Sequence, residues 1–450
     1  MKRLNSLVGG AIAALALLLA PAIRAAEASI AAQVQRTQTA GIDILVYPMD
    51  VKDVVTVAGS MPLGDAVTAS RAGNPAVPEV AVQMLERGTT RRDKFAISDM
   101  LDQRGASLRI GIDTHQVRMR GKSMRADMPM IVDLLAEELR QPAFSADELA
   151  KVKAETKADL QSELDDTNAV ASEALKLALY PRDTANGLVP NAEMMQAIGK
   201  VTLDDLRTFH QRNFGPAHMT LVFVGDVDLD EAKRAVENAF AGWSGGVAYN
   251  RGSGTQRTPE VLLRDIPLAD KSSVSVRWGV PTGLMHGDPD ALPLELGTSV
   301  LGEGFTSRLL GTIRDKEGLT YGIGAGAGGG DMTGGTFLIA SSFAPQLLDR
   351  GIASTRRELD RWYRDGITAE ELVDSKTAAI GRQRIRLETT GGMASALIDA
   401  IARGDQPSAL DAEAARINAV TLEQVNAAIR KYGDPARLMV VRAGTFPDAK

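Results

Sequence analysis

VTLDDLRTFHQRNFGPAHMTLVFVG, residues 201–225, returns near the other end of the chain as VTLEQVNAAIRKYGDPARLMVVRAG, residues 420–444. Val201 and Val420, Pro216 and Pro435, and Gly225 and Gly444 each stand 219 positions apart, with Thr202/Thr421, Leu203/Leu422 and Ala217/Ala436 in step. Each copy has a Thr N-cap followed by an acidic first turn, an apolar helical period, a Pro-containing turn and an apolar strand. A constant offset over so many positions marks an internal repeat, and each copy closes one half of the chain.

The halves also open alike. GIDILVYPMDVKDVVTVAGSMPLG (Gly41 to Gly64) resembles PEVLLRDIPLADKSSVSVRWGVPTG (Pro259 to Gly283), each a strand, a polar turn and a second strand. Between opening and closing, apolar periodicity predicts helices near Val77 to Arg87, Arg92 to Arg104, Met128 to Arg140, Ala146 to Leu164 and Ala169 to Leu179. Strands are expected at Ser107 to Gly111 and His115 to Gly121. In the second half helices are expected near Ala291 to Leu301, Ser307 to Lys316, Pro345 to Tyr363 and Ala369 to Leu387, with strands at Tyr321 to Ala327 and Gly335 to Ser342. Helices and strands do not alternate strictly, so the predicted class is α+β, two homologous domains each built from a mostly antiparallel sheet packed with helices. The domains fall at 29–242 and 259–450. The Gly-, Ser- and Thr-rich stretch 243–258 is read as the linker between them.

The 450 residues are 44% hydrophobic and 24% charged, with no Cys, which excludes disordered, collagenous and disulfide-scaffold classes. A net charge of -6 lacks the basic excess that draws a protein to phosphate backbones, so no nucleic-acid partner is expected. Lys2 and Arg3 precede an apolar run from Leu7 to Ala20, followed by Pro21 and small residues. This reads as a cleaved signal peptide over residues 1–28, since the run is shorter than the roughly 20 residues that span a bilayer. Cleavage after Ala26 removes three basic residues and no acidic one, taking the charge from -6 to -9. The expected location is the periplasm, with no membrane association after cleavage.

This organisation resembles the pitrilysin/insulinase family of zinc peptidases, in particular small paired subunits of the mitochondrial-processing-peptidase type. That family carries His-x-x-Glu-His on a helix of the first half, two imidazoles one helical turn apart for Zn²⁺ with a general-base Glu between them. The matching text here is EVAVQMLERGT, residues 79–89, so the motif positions hold Glu79, Val82 and Gln83. Both imidazoles and the base are absent, and no metal is expected in this chain. The family's third ligand, a downstream carboxylate, falls near Asp159, where Glu155, Asp159 and Glu163 also read as a solvated helix face. His115, His210, His218 and His286 are not spaced three or four apart, and no metal role is assigned to them.

SVLGEGFTSRLLGTIRDKEGLTYGIGAGAG, residues 299–328, resembles the family's second-half signature. The resemblance implies that Arg314 and Tyr321, seven residues apart across a Gly318-Leu319 turn, bind the substrate backbone and complete a partner's site. A guanidinium and a phenol both donate hydrogen bonds to a carbonyl, the chemistry that stabilises a developing oxyanion. The competing reading makes Arg314 a surface ion pair with Asp315 or Glu317 and Tyr321 a packing residue. Arg308 reads as structural, and Gly302 and Gly304 fall where related subunits have a substrate-contacting Gly-rich loop. Gly322 to Gly335 contains a GxGxGG, but it follows a helix and leads into a strand, the reverse of a phosphate loop, and reads as a β-hairpin.

The resemblance implies a non-catalytic, substrate-binding subunit of a heterodimeric periplasmic zinc metallopeptidase. A homologous partner carrying His-x-x-Glu-His supplies zinc and base, and a peptide is the substrate. A catalytically dead structural or chaperone-like peptide-binding protein is the alternative, and a stand-alone enzyme with an unrecognised site is a third.

Overall fold

A strand buried at every position, as Thr220–Gly225 is, needs neighbours on both edges and cover on both faces. The computed structural model describes residues 29–113, 115–248, 262–330 and 333–446, and it places this strand inside a six-stranded sheet. The strands are β1 (Gln35–Thr39), β2 (Ile42–Pro48), β3 (Val54–Pro62), β4 (Ser107–Ile112), β5 (Gln116–Met124) and β6 (Thr220–Gly225), in spatial order β1-β2-β6-β3-β5-β4. A second sheet holds β7 (Leu263–Pro267), β8 (Val274–Pro281), β9 (Ile323–Gly326), β10 (Thr336–Phe343) and β11 (Met439–Gly444), in order β7-β11-β8-β10-β9. Each sheet has a single parallel pair, β2 with β6 and β7 with β11; the other pairings are antiparallel. The α+β class and the mostly antiparallel sheets are as the sequence predicts.

The two opening strands of each half are not a hairpin. The closing strand of the repeat slides between them: β6 separates β2 from β3, and β11 separates β7 from β8. Gly225 and Gly444 end these central strands at φ +130 and +149, and a Cβ at either would meet a carbonyl oxygen of the adjoining chain, Val54 at 2.1 Å or Ser273 at 2.6 Å. A residue with a side chain fits neither place. Upstream, Thr202 with Asp205 and Thr421 with Gln424 form capping boxes at the starts of Leu203–Asn213 and Leu422–Tyr432, each satisfying two backbone donors that a helix start leaves orphaned.

Four helical segments, Val77–Gln83, Met128–Arg140, Leu203–Asn213 and Leu229–Phe240, bury their apolar stripes on one face of the first sheet. Ala291–Gly302, Leu348–Asp365 and Leu422–Tyr432 do the same on the second. The opposite faces are covered by exchange. Thr390–Arg403, from the second half, lays Met393, Ala394, Leu397 and Ile398 over Leu45, Tyr47, Ala58, Val222 and Val224 of the first sheet. Thr167–Leu179, from the first half, lays Ala171, Ala174 and Leu175 over Met439, Val441 and Ala443 of the second. Each crossing carries a buried hydroxyl pair, Thr56 donating to Thr390 at 2.8 Å and Thr167 against Ser275 at 2.8 Å. Thr56 and Ser275 are themselves 219 apart, so the repeat extends to the contacts that join the halves.

The expected signal peptide, 1–28, lies outside the described residues, as does the expected linker from residue 249 onward. Trp243 packs on Phe240 with ring centroids 5.7 Å apart, and Ala217 N–H donates to Gly245 O at 3.2 Å, so residues 243–245 lie against the first half.

Candidate functional site

Val77–Gln83 is a two-turn helix with Pro78 in its first turn, where the missing N–H costs nothing. Its apolar stripe, Val77, Val80, Ala81 and Val82, is in the core, and Val82 is only 1% exposed. Glu79 and Gln83 share the opposite face one turn apart, with Gln83 Nε2 donating to Glu79 Oε1 at 3.2 Å. Thr156 Oγ1, from the Ala146–Asp165 helix, donates to Gln83 Oε1 at 3.0 Å. Both ends of the Gln83 amide are thus engaged. Loss of hydration raises the Glu79 carboxyl above its ordinary range and nearby Glu163 adds to the rise, while the Gln83 hydrogen bond opposes it. Glu79 opens onto a pocket of about 270 Å³ whose walls include Arg71, Pro78, Asp113 and Leu188.

These groups do not make a zinc donor set. A structural or catalytic zinc needs three or four N, S or carboxylate ligands converging within about 2.3 Å of one point. Here the three motif positions offer one carboxylate, one amide already bonded at both ends and one buried isopropyl. The carboxylates of the neighbouring helix turn elsewhere: Glu155 pairs with Arg87 at 2.6 Å, Glu163 accepts from Asn191 at 2.7 Å, and Asp159 is exposed. Among the histidines, His210 is half-buried, its ring bonded to Leu139 O at 2.7 Å and flanked by Phe144 and Phe214.

Arg314 sits in a π-helical segment, Leu310–Lys316, rather than the α-helix expected from Ser307 to Lys316. Glu317 N–H reaches back five residues to Thr312 O at 3.0 Å, a widened turn that keeps Leu310 and Ile313 in the core before Gly318 reverses the chain at φ +63. Such widened turns recur at functional sites. Tyr321 lies two residues before β9 rather than within it, and is 100% exposed. Its hydroxyl and ring therefore face solvent. Phe305, 80% exposed, stands beside Arg314 with the guanidinium 5.9 Å from its ring centroid. Asp315 does approach Arg314, but at 3.8 Å between exposed side chains, a contact worth little. Glu317 is taken by Arg357. Arg308 is structural, as expected, gripping Glu371 at 2.6 and 2.7 Å.

The two glycines of the expected loop differ. Gly302 ends a helix so close to β9 that a Cβ would lie 2.1 Å from Ala325 N, whereas Gly304 at φ +80 has open space around it. The Gly-rich stretch after Tyr321 is a hairpin, β9 against β10 with Leu338 opposite Gly326.

The structure keeps the two sets of site residues apart. Thr320 Oγ1 donates to Ser342 O at 2.6 Å, so Tyr321 adjoins the Ser342 end of β10. The other end, at Thr336, meets Tyr180, and Asn186 donates to Gly334 O at 3.0 Å, on the side of the loop that walls the Glu79 pocket. These ends are six residue steps apart along the strand, on the order of 20 Å. Phe305, exposed beside Arg314, has a signal in the sequence as well, an aromatic between Gly304 and a polar Thr-Ser pair.

Residues 200–379 match the family model described as Peptidase M16 inactive domain. That stretch of the chain is of the inactive M16 type. This is the zinc-peptidase family that the motifs resemble. The M16 match starts at Lys200, the last residue of the helix Asn191–Lys200, and ends in Ala369–Leu387. The non-peptidase homolog YmxG of Helicobacter pylori is 26% identical over 68% of this chain and 70% of its own length. An uncharacterized zinc protease of Streptomyces coelicolor is 23% identical over 77% of this chain and 76% of its own. Among solved structures, the peptidase M16 inactive domain from Pseudomonas fluorescens superposes with a TM-score of 0.81 at 22% identity, covering 93% of this chain and 99% of that one. The periplasmic protease PqqL from Escherichia coli superposes with a TM-score of 0.75 at 13% identity over 93% of this chain and 46% of its own.

Proposed function

We propose that this chain is the non-catalytic, substrate-binding subunit of a heterodimeric periplasmic zinc metallopeptidase. The observation that carries the reading is an asymmetry. The Glu79, Val82 and Gln83 positions lack a zinc donor set, while Arg314 and Tyr321 stand in solvent with no strong internal partner. Conformations that expose an aromatic and a guanidinium together suit a surface that receives another molecule. In this reading a homologous chain with His-x-x-Glu-His provides the metal, the general base and the water. Arg314 and Tyr321 donate hydrogen bonds to a substrate carbonyl, and Phe305 flanks the peptide beside them. The apolar Leu7 to Ala20 run and the periplasmic source of PqqL support the location.

The test is reconstitution. The chain purified with its partner from the native host should hydrolyse peptides that neither chain cleaves alone. Arg314→Ala or Tyr321→Phe should lower turnover about 10²-fold if the donors act on developing charge, or raise KM at constant kcat if they only hold the backbone. Assembly should be unchanged in both. Activity indifferent to both substitutions removes these residues from the site. A stable heterodimer with no hydrolysis at all favours the chaperone-like alternative.

A further inference from the structure

Away from the site described above, a cavity of about 520 Å³ opens in the first half, lined by the helix Lys94–Asp102, the edge strand β4 and Glu138 of Met128–Arg140. Its apolar wall is Phe95, Ile97, Leu101 and Leu108, with Phe95 68% exposed at the opening. Its polar wall is Glu86, Arg87, Lys94, Asp102, Arg109 and Glu138. Glu138 is the unusual member. It is 2% exposed, and its Oε2 has no hydrogen-bond partner. A buried carboxyl oxygen left unbonded is costly in a native protein and asks for an explanation.

The charges of the wall do not cancel evenly. Arg87 is paired with Glu155 at 2.6 Å and Lys94 with Glu148 at 2.9 Å, both outside the lining. That leaves Arg109, which hydrogen-bonds the carbonyl of Leu108 at 2.8 Å. Against it stand three carboxyls with no ion pair among the described residues: Asp102, Glu138 and Glu86, whose Oε1 accepts from Ile110 N–H at 2.8 Å. Neighbouring Glu137 is engaged separately by Thr89, Arg91 and Arg92. Acceptors therefore outnumber donors in a cavity with one greasy side.

We propose that this cavity binds a primary ammonium carried on an apolar stem, its N–H groups bonding Glu138 and Glu86 while the stem lies against Phe95, Leu101 and Leu108. A cavity of this volume is in the range of small-molecule sites, and an ammonium supplies the donors that the buried carboxyl lacks. Burial, with Glu86 and Glu137 adding like charge and Arg109 opposing, raises the Glu138 carboxyl to about 8. Ammonium binding thus displaces the Glu138 proton.

Phenethylamine is the probe for a free amine, and an acetylated, amidated Gly-Lys-Gly peptide the probe for a lysine side chain. Titration calorimetry on the whole mature chain, in two buffers of different ionisation enthalpy, reads affinity and protons released. If only the ionised Glu138 binds, its population sets the apparent affinity, so binding should tighten about eightfold from pH 7 to pH 8.5, with about 0.9 proton released per ligand at pH 7. Glu138→Gln, a near-isostere of the protonated side chain, should weaken binding and abolish both the pH dependence and the proton release. Phe95→Ala, at the exposed opening, should weaken binding and keep both. Saturation by either probe supports the site and tells its source. No binding of either, binding unchanged in Glu138→Gln, or tighter binding of phenylpropionate than of phenethylamine overturns it.

Discussion

Leu397→Ala tests whether the exchanged helices make the two halves one cooperative unit. Leu397 belongs to the second half in sequence, is 0% exposed, and packs on the first sheet among Leu45, Ala58, Val222 and Val224. The substitution removes three carbons, about 2.4 kcal/mol of transfer free energy at roughly 0.8 kcal/mol each. The cavity left under a rigid sheet adds to this, giving about 3 kcal/mol, inside the range of buried Leu→Ala changes. The assay is urea unfolding followed at two places. Trp243 reports the first half, stacked near Phe240, while Trp278 and Trp362 are buried in the second. Single-tryptophan variants that keep Trp243 or Trp362 separate the signals. If the exchange couples the halves, Leu397→Ala lowers the midpoint of both signals equally, and the transitions stay coincident. A shift of the Trp243 transition alone, with Trp362 unmoved, refutes the reasoning, because it means that each half unfolds with its own sheet only.

Trp362→Phe keeps the stacking on Phe337 but loses the indole Nε1–H bond to Gly297 O, 2.9 Å long in the core; a loss of about 0.5–1.5 kcal/mol from that bond is expected in thermal or urea unfolding. Glu138→Gln should alter the pH dependence of stability. The folded carboxyl, raised to about 8, keeps its proton where the unfolded chain loses it, so wild-type stability falls as pH climbs from the ordinary carboxylate range to about 8 and then levels off. The variant should lack that decline, gaining on the wild type by up to about 5 kcal/mol between pH 4.5 and 8. Parallel stability curves for the two proteins contradict the burial argument.

The strong periodicities were readable. MPMIVDLLAEELR predicts the helix Met128–Arg140 to its ends, and the 219-residue offset predicts that Thr202 and Thr421 cap equivalent helices. What local pattern does not carry is partnership. The stretch from Gly41 to Gly64 reads as two strands in succession, yet the strand between them in space comes from residue 220 onward, a choice made by burial over a distance no window spans. β1 was not read because QRTQT has no apolar alternation, as befits an edge strand. Thr390–Arg403 was missed because its Gly391-Gly392 start weakens helix propensity, and packing on the other half's sheet compensates. At the site, the exchange of His for Glu79 and Gln83 is visible in the letters alone. The exposure of Tyr321 and the π-turn under Arg314 are not, since both depend on how Leu310 and Ile313 seat in the core. Glu138 did leave a trace: helical spacing sets it on the stripe of Ile131, Leu134 and Leu135, where a carboxyl is out of place.

The hydroxyl pair of Thr56 and Thr390 joins residues 334 positions apart, and that separation has a consequence for the order in which the protein can be made. A ribosome or a translocation channel delivers the first sheet long before the helix that covers its second face. Until residue 403 emerges, Leu45, Tyr47, Ala58, Val222 and Val224 present a bare apolar surface on a sheet otherwise ready to form, the kind of intermediate that aggregates or recruits holding factors. Truncating the gene after residue 242 should therefore yield an insoluble fragment. Supplying residues 259–450 as a separate chain during refolding should rescue it, because the missing cover is then available in trans.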